Sequence, residues 1–341
     1  MKALILKKTC DLQVEKSPLA LVEVDNPIAV GDEILIKTSC CGVCHTELDE
    51  IEGRTPPSEF PMILGHQVIG YVDATGENAS RFKKGDRVGV AWIFSACGHC
   101  EFCIKGMENL CPEFKGTGRD ARGGYAAYMK VHEKFAYAIP KIFSDEEAAP
   151  LLCAGAIGYR SLMLTDLQRG ETLALTGFGA SGHLVLKMSR HLFPDSKIIV
   201  FARSPEEQGF AKSLGAIWSG DVTDGPPYKA DAIIDTTPVW STIVESLRHL
   251  KPGGRLVINA IRKEDKDKSA LLNMNYQDHL WMEKEIKSVA NITRYDVEEF
   301  LALAANIPIK PEVEIYPFEM ANQALLDLKH KHVKGAKVLK F

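Results

Sequence analysis

No stretch of this chain is apolar for long enough to cross a bilayer, where a spanning helix needs about 20 residues. A membrane partner is thereby disfavoured. Charge of one sign is also scarce: 41 Lys and Arg stand against 45 Asp and Glu, a net charge of −4. Such a chain carries no basic field for a nucleic-acid backbone. Internal repeats and low-complexity segments are missing. Residues Met1 to Lys8 hold an apolar run too short for a signal peptide and read as a strand, so cytoplasm is the expected location. Even the cysteines lack pairing arithmetic. There are nine, an odd number that argues against a disulfide framework and toward metal ligation.

What is present is an ordinary globular composition, 45% hydrophobic and 25% charged. At 341 residues the chain exceeds the usual single core, so two domains are expected. Up to about residue 150 it reads as β-rich, with short runs at 33–39, 68–74 and 87–92 broken by Gly and Pro. Gly31-Asp32 and Lys84-Gly85-Asp86 mark turns ahead of two of these runs. After Cys153 the texture becomes strand–helix alternation. Strands are expected at 172–176, 197–202, 231–235, 255–259 and 286–290, with helices after Gly182, from Ser204 to Gly215, and near 240–250. That alternation implies a parallel sheet covered on both faces. A tail from about residue 292 carries helices near 296–305 and 318–329 and a closing strand that could pair back onto the first domain. The charged run Arg262 to Lys268 is expected to be a solvated loop.

Three ligand-type residues lie far apart: Cys44 in Gly-Val-Cys-His-Thr, His66 in Leu-Gly-His-Gln and Cys153 in Leu-Leu-Cys-Ala-Gly. Two thiolates and one imidazole make a three-ligand zinc set, which leaves a fourth position for water or substrate. They meet only if the fold brings them together. A second set is compact. Cys97, Cys100, Cys103 and Cys111 supply four sulfurs, which suit a closed, structural zinc. Three such Cys with a later Cys111-Pro112 also resemble an iron–sulfur pattern, although the last gap is longer than usual there. Cys10, Cys40 and Cys41 read as structural thiols.

The run Gly177-Phe178-Gly179-Ala180-Ser181-Gly182 fits Gly-x-Gly-x-x-Gly between a strand and a helix. There the glycines permit a tight turn and close phosphate approach, and the helix N-terminus supplies amides to a pyrophosphate. A ribose-binding acid is expected about 20 residues further on. Arg203 follows the second strand instead, so NADP(H) is favoured over NAD(H), with Arg203 on a 2′-phosphate. The alternative is a surface arginine stacked on adenine.

In their order along the chain, these motifs resemble the zinc-dependent medium-chain alcohol dehydrogenases, most closely the cinnamyl-alcohol-dehydrogenase-like branch. The resemblance spans essentially the whole length. It implies an α/β plus β fold: a GroES-like catalytic domain over 1–153 and 292–341, with a structural-zinc lobe at about 94–113, and a Rossmann domain over 154–291. It also implies catalytic zinc in the cleft between them, a second zinc in the lobe, and an alcohol or aldehyde substrate. Carried over by position, Thr46 passes the alcohol proton, His45 sits by the cofactor pyrophosphate, and Trp92 walls the substrate pocket. Glu47 would orient the zinc-bound imidazole.

Three positions depart from the commoner pattern. Gln67 follows His66 where Glu is usual, Asp49 stands where a histidine often ends the proton relay, and Ile157 replaces a Thr near the nicotinamide. Asp49 is either a relay acid or a surface carboxylate. The expected reaction is hydride transfer between a primary alcohol, aromatic or allylic in this branch, and NADP, with NAD as the lesser option. A zinc polyol dehydrogenase and a nucleotide-binding sensor without catalysis are the alternatives. A homo-oligomer, dimer or tetramer, is implied by the family.

Overall fold

The computed structural model describes residues 1–330 and 335–341. Contacts divide the chain into two compact units, Met1–Cys153 with Ile292–Phe341, and Ala154–Asn291. The first unit opens with β1 (Lys2–Leu6), β2 (Leu19–Glu23), β3 (Glu33–Val43), α1 (His45–Ile51), β4 (Met62–Ile63), β5 (Val68–Thr75) and β6 (Arg87–Val90). Then come β7 (Ile93–Ser95), α2 (Glu101–Ile104), β8 (Lys115–Gly116), β9 (Tyr128–His132), β10 (Ala136–Ala138) and α3 (Asp145–Pro150).

In the second unit follow α4 (Ala156–Leu164), β11 (Thr172–Thr176), α5 (Ala180–Leu192), β12 (Lys197–Phe201), α6 (Pro205–Ser213) and β13 (Trp218–Gly220). It closes with β14 (Ala230–Asp235), α7 (Trp240–Arg248), β15 (Leu250–Ile258), α8 (Tyr276–His279) and β16 (Glu285–Ser288). The chain then returns to the first unit with α9 (Arg294–Asn306), β17 (Val313–Pro317), α10 (Ala321–His330) and β18 (Ala336–Lys340).

Turn chemistry sets several of these boundaries. Gly31 (φ 60°) and Gly85 (φ 89°) take left-handed backbone just ahead of β3 and β6, where a Cβ would be strained. Ser144 and Thr293 each accept the amide of the residue three positions on, and Glu147 and Asp296 reach back to complete capping boxes for α3 and α9. The closing strand β18 pairs antiparallel with β3, Lys337 opposite Val43 and Lys340 opposite Cys40. The tail is thus built into the first unit's main sheet, whose order is β10-β6-β5-β3-β18-β17.

In the second unit six parallel strands run in the order β13-β12-β11-β14-β15-β16. All five residues of β11 are buried, so its Leu-Ala-Leu run packs on both faces. Around it Ile199, Phe201, Ile233, Leu247 and Leu256 form one apolar cluster. Each such large side chain removed from water contributes about 1.5–3 kcal/mol. Strand order reverses between β11 and β14, which makes the carboxyl ends of those two strands a topological switch point.

One expectation needs correction. The run 262–268 is not simply a solvated loop: Asp265–Asn273 forms a 3-10 helix, and the Lys263 side chain is buried against Asp235. The three-residue strand β13 went unread because Trp-Ser-Gly is too short to show a period.

Candidate metal centre and cofactor loop

Cys44 leaves β3 in extended backbone and serves as the N-cap of α1. Its Sγ accepts the Thr46 amide at 3.4 Å, and its own amide donates to Glu47 Oε2 at 2.8 Å. The other Glu47 oxygen lies 2.7 Å from His66 Nδ1. One buried carboxylate therefore caps the helix and fixes the imidazole. With Nδ1 beside that carboxylate oxygen, Nε2 faces the sulfurs, 3.7 Å from Cys44 Sγ and 3.3 Å from Cys153 Sγ.

His66 reaches this point because Gly65, at φ 92°, turns the backbone beneath Tyr125. A Cβ at Gly65 would stand 2.4 Å from the tyrosine ring. Cys153 sits in a π-helical turn, Leu151–Gly155, a local widening common at functional sites.

This donor set fits zinc. All three ligand atoms lie within 4.8 Å of one another. Tetrahedral zinc with Zn–S of ~2.3 Å and Zn–N of ~2.05 Å separates nitrogen from sulfur by about 3.6 Å. The two observed separations bracket that value. A hydrogen bond with Cys153, then burial, pushes the Cys44 thiol well up. Burial would lower the His66 imidazole, but Glu47 and Cys44 outweigh it and hold it well above its ordinary value. Metal binding needs the deprotonated forms, so zinc uptake releases protons and strengthens as pH rises.

The second set is equally compact. Cys97, Cys100, Cys103 and Cys111 bring their sulfurs within 4.8 Å of one another, and Cys97 Sγ is 3.9 Å from Cys103 Sγ. Tetrahedral zinc predicts about 3.8 Å. Gly98 (φ 79°) and Gly106 (φ 71°) make the lobe's tight turns. Backbone amides point at sulfur: Cys100 N to Cys97 Sγ at 3.3 Å, Cys97 N to Cys111 Sγ at 3.4 Å and Glu113 N to Cys111 Sγ at 3.3 Å. Amide donors from His99 and Cys100 bring Cys97 down to about 6, whereas burial first raises Cys103 to about 12. The lobe is tied to the tail by an ion pair between Glu108 and Arg294.

Comparison with known proteins settles the family. Residues 31–141 match the model of the alcohol dehydrogenase GroES-like domain. The chain is 40% identical over 331 residues to "Probable alcohol dehydrogenase AdhA" of Mycobacterium tuberculosis (strain CDC 1551 / Oshkosh), covering 96% of this chain and 94% of that protein. The chain belongs to the zinc-dependent medium-chain alcohol dehydrogenase family. An alcohol dehydrogenase of Geobacillus stearothermophilus is 30% identical, with 95% of this chain and 97% of that one covered. Among solved structures, cinnamyl alcohol dehydrogenase SbCAD4 of Sorghum bicolor superposes with a TM-score of 0.84 at 25% identity, over 99% of this chain and 97% of that one. The protein is thus a zinc, NAD(P)-dependent alcohol dehydrogenase with a catalytic Cys-His-Cys site and a structural four-cysteine site.

Asp49 is no surface carboxylate. It is buried, and Oδ1 takes Arg54 Nε and Nη2, each at 2.5 Å. Arg54 also pairs with Glu52 at 2.6 Å, and Glu52 pairs with Lys329. His45 is exposed and Thr46 half-buried at the start of α1. Gln67 is buried against Gly42, where any Cβ would collide with its amide, and among the described residues its Nε2 meets no acceptor. Trp92 stands edge-on to His66, ring centroids 5.0 Å apart, with the Arg119 guanidinium 5.7 Å from the indole ring. Ile157 is half-buried on α4.

In the glycine loop, Gly177 takes φ 79° and Gly179 caps α5, which starts at Ala180 and includes Ser181. A Cβ on Gly182 would sit 2.7 Å from the Gly177 carbonyl oxygen. Arg203 is exposed just beyond β12. Donation from Thr223 and, to a smaller degree, the charge of Arg203 lower the Asp221 carboxyl against burial.

One residue near the metal centre went unnoticed in the sequence. Glu50 is fully buried, neither oxygen meets a donor among the described residues, and burial followed by Glu47 holds its carboxyl well above the usual range. It lies three positions after Glu47 on one helix face, a spacing that could have flagged it.

Proposed function

We propose that this alcohol dehydrogenase interconverts primary aromatic or allylic alcohols and their aldehydes, with NADP(H) preferred. The cluster of Cys44, His66 and Cys153 carries the reading, since three ligands leave one coordination position for a substrate oxygen. When bound, zinc supplies Lewis acidity and the dinucleotide supplies or accepts hydride. Thr46, at the start of the helix capped by Cys44, holds the alcohol proton and passes it on. Asp49, fixed by Arg54, is the carboxylate toward which that proton moves. Glu47 keeps the His66 imidazole in one tautomer and orientation. The amides at the start of α5 engage the pyrophosphate. Trp92 walls the substrate side and Gln67 leaves the shell one negative charge short. Arg203 takes the 2′-phosphate.

Similarity to the sorghum cinnamyl alcohol dehydrogenase supports the aromatic or allylic class. Nine unpaired thiols, seven of them in ligand sets, suit the reducing cytoplasm. The working form is a homo-oligomer, a dimer or a tetramer.

A steady-state panel of aromatic, allylic and aliphatic alcohols, polyols and aldehydes with both dinucleotides tests this, run on wild type and Arg203→Ala. Aromatic or allylic substrates should have the highest kcat/KM, with NADPH favoured. Loss of a charge-assisted contact should raise KM for NADPH by about tenfold in Arg203→Ala and leave NADH unchanged. Faster polyol turnover would replace the substrate assignment, and an unchanged cofactor preference would remove the Arg203 role.

A further inference from the structure

Lys263 belongs to the most charged segment of the chain, yet its side chain is only 6% exposed. It reaches Asp235 Oδ2, the carbonyl of Thr237 at 2.7 Å and the carbonyl of Val239 at 3.2 Å. Asp235 is fully buried, and its Oδ1 accepts the hydroxyls of Thr176 at 2.5 Å and Thr237 at 2.8 Å. Every polar atom of the pair is thereby matched by the protein itself. Burying two charges is expensive, and an apolar pair of similar volume is often as stable, so stability alone does not account for this arrangement.

Its location suggests a reason. Asp235 ends β14 and Thr176 ends β11, the two strands that flank the switch point of the sheet. Ligands of open α/β sheets lie outside the strand carboxyl ends at that place. From the Lys263–Asp235 pair the fixing passes to the glycine loop. Thr236 donates through its amide and its hydroxyl to the Thr176 carbonyl, both at 3.0 Å. The next residue is Gly177, where a Cβ would stand 2.7 Å from Thr236 Oγ1. The loop from Thr236 to Val239 is therefore held tightly against the first glycine.

We propose that Lys263 is a positioning residue for the dinucleotide, holding through Asp235 the floor of the crevice on which the cofactor rests. It touches no substrate and reads no 2′-phosphate. Its loss should therefore weaken NADPH and NADH by the same factor, which separates it from Arg203. The inference rests on the NAD(P) dependence of the enzyme.

The test is fluorescence titration of the full-length zinc enzyme with NADPH and with NADH. It compares wild type, Lys263→Met, Lys263→Arg and the double variant Lys263→Met with Asp235→Asn. Lys263→Met should raise both dissociation constants by roughly tenfold. Its kcat at saturating cofactor should stay within about threefold of wild type, with zinc content unchanged. Arginine should restore part of the affinity. The double variant leaves no buried charge unpaired, so it folds even where the single variant does not. It should still bind both dinucleotides weakly, because the Thr237 and Val239 carbonyls lose their donor.

A double variant with wild-type affinity would overturn the proposal. A folded Lys263→Met enzyme with unmoved dissociation constants, or one weakened for NADPH alone, would overturn it equally. Wild-type enzyme binding neither dinucleotide would instead overturn the cofactor reading beneath it.

Discussion

A single thiol at Cys44 both ends a strand and begins a helix, so its substitution separates folding from chemistry. Serine is a strong N-cap, and a hydroxyl at that place can accept the Thr46 amide that Sγ now accepts. Cys44→Ser should therefore leave the unfolding midpoint close to wild type. It should also remove one of three ligands from an open site. Losing several kcal/mol of Lewis-acid stabilisation corresponds to about a thousandfold or more in kcat/KM. Metal content should fall from about two zinc per chain toward one, because the four-cysteine site is untouched. Near-full alcohol oxidation by the variant would sink the metal assignment. The ligand residues were legible in sequence because thiol and imidazole chemistry is specific to residue type. Partnerships that depend on side-chain reach were not. Asp49 reads in sequence as either a relay acid or a surface acid, whereas in the fold Arg54 is bonded to it; Lys263 reads as a solvated charge, whereas Asp235 lies beneath it.

Helix α1 shows how one short element carries two functions on one side chain. Glu47 completes the cap through Oε2 and orients His66 through Oε1. Glu47→Gln keeps an oxygen for the cap but loses the charge beside the imidazole. Its zinc affinity at the Cys44 site should fall by about 10–100-fold, the usual cost of losing such an orienting partner. Competition with a chromophoric chelator measures that loss, and circular dichroism should show an unchanged fold. Equal retention of both metals would refute the dual role. Elements marked by caps and glycines are legible in the sequence, as Ser204, Pro205 and Gly215 show for α6. The π-helical turn holding Cys153 is not, since Leu-Leu-Cys-Ala-Gly carries no local mark that distinguishes π from α.

At the scale of the molecule, the two chemistries are divided between the two compact units. Every zinc ligand lies in Met1–Cys153, whereas the glycine loop, Arg203 and Lys263 lie in Ala154–Asn291. A ligand stabilises only the states that bind it, by about 4 kcal/mol when present at a thousand times its dissociation constant. Metal and dinucleotide should therefore protect different parts of the same chain. Stripping both zinc ions with a strong chelator should abolish turnover and move one calorimetric transition to lower temperature. NADPH should raise the other transition, in chelated and zinc-loaded protein alike. Because no residue we assign to the nucleotide loop is a metal ligand, the NADPH dissociation constant of the chelated protein should stay within about twofold of the zinc form. A rise of tenfold or more on chelation would instead reveal about 1.4 kcal/mol of coupling between the units, and the division of labour would fail.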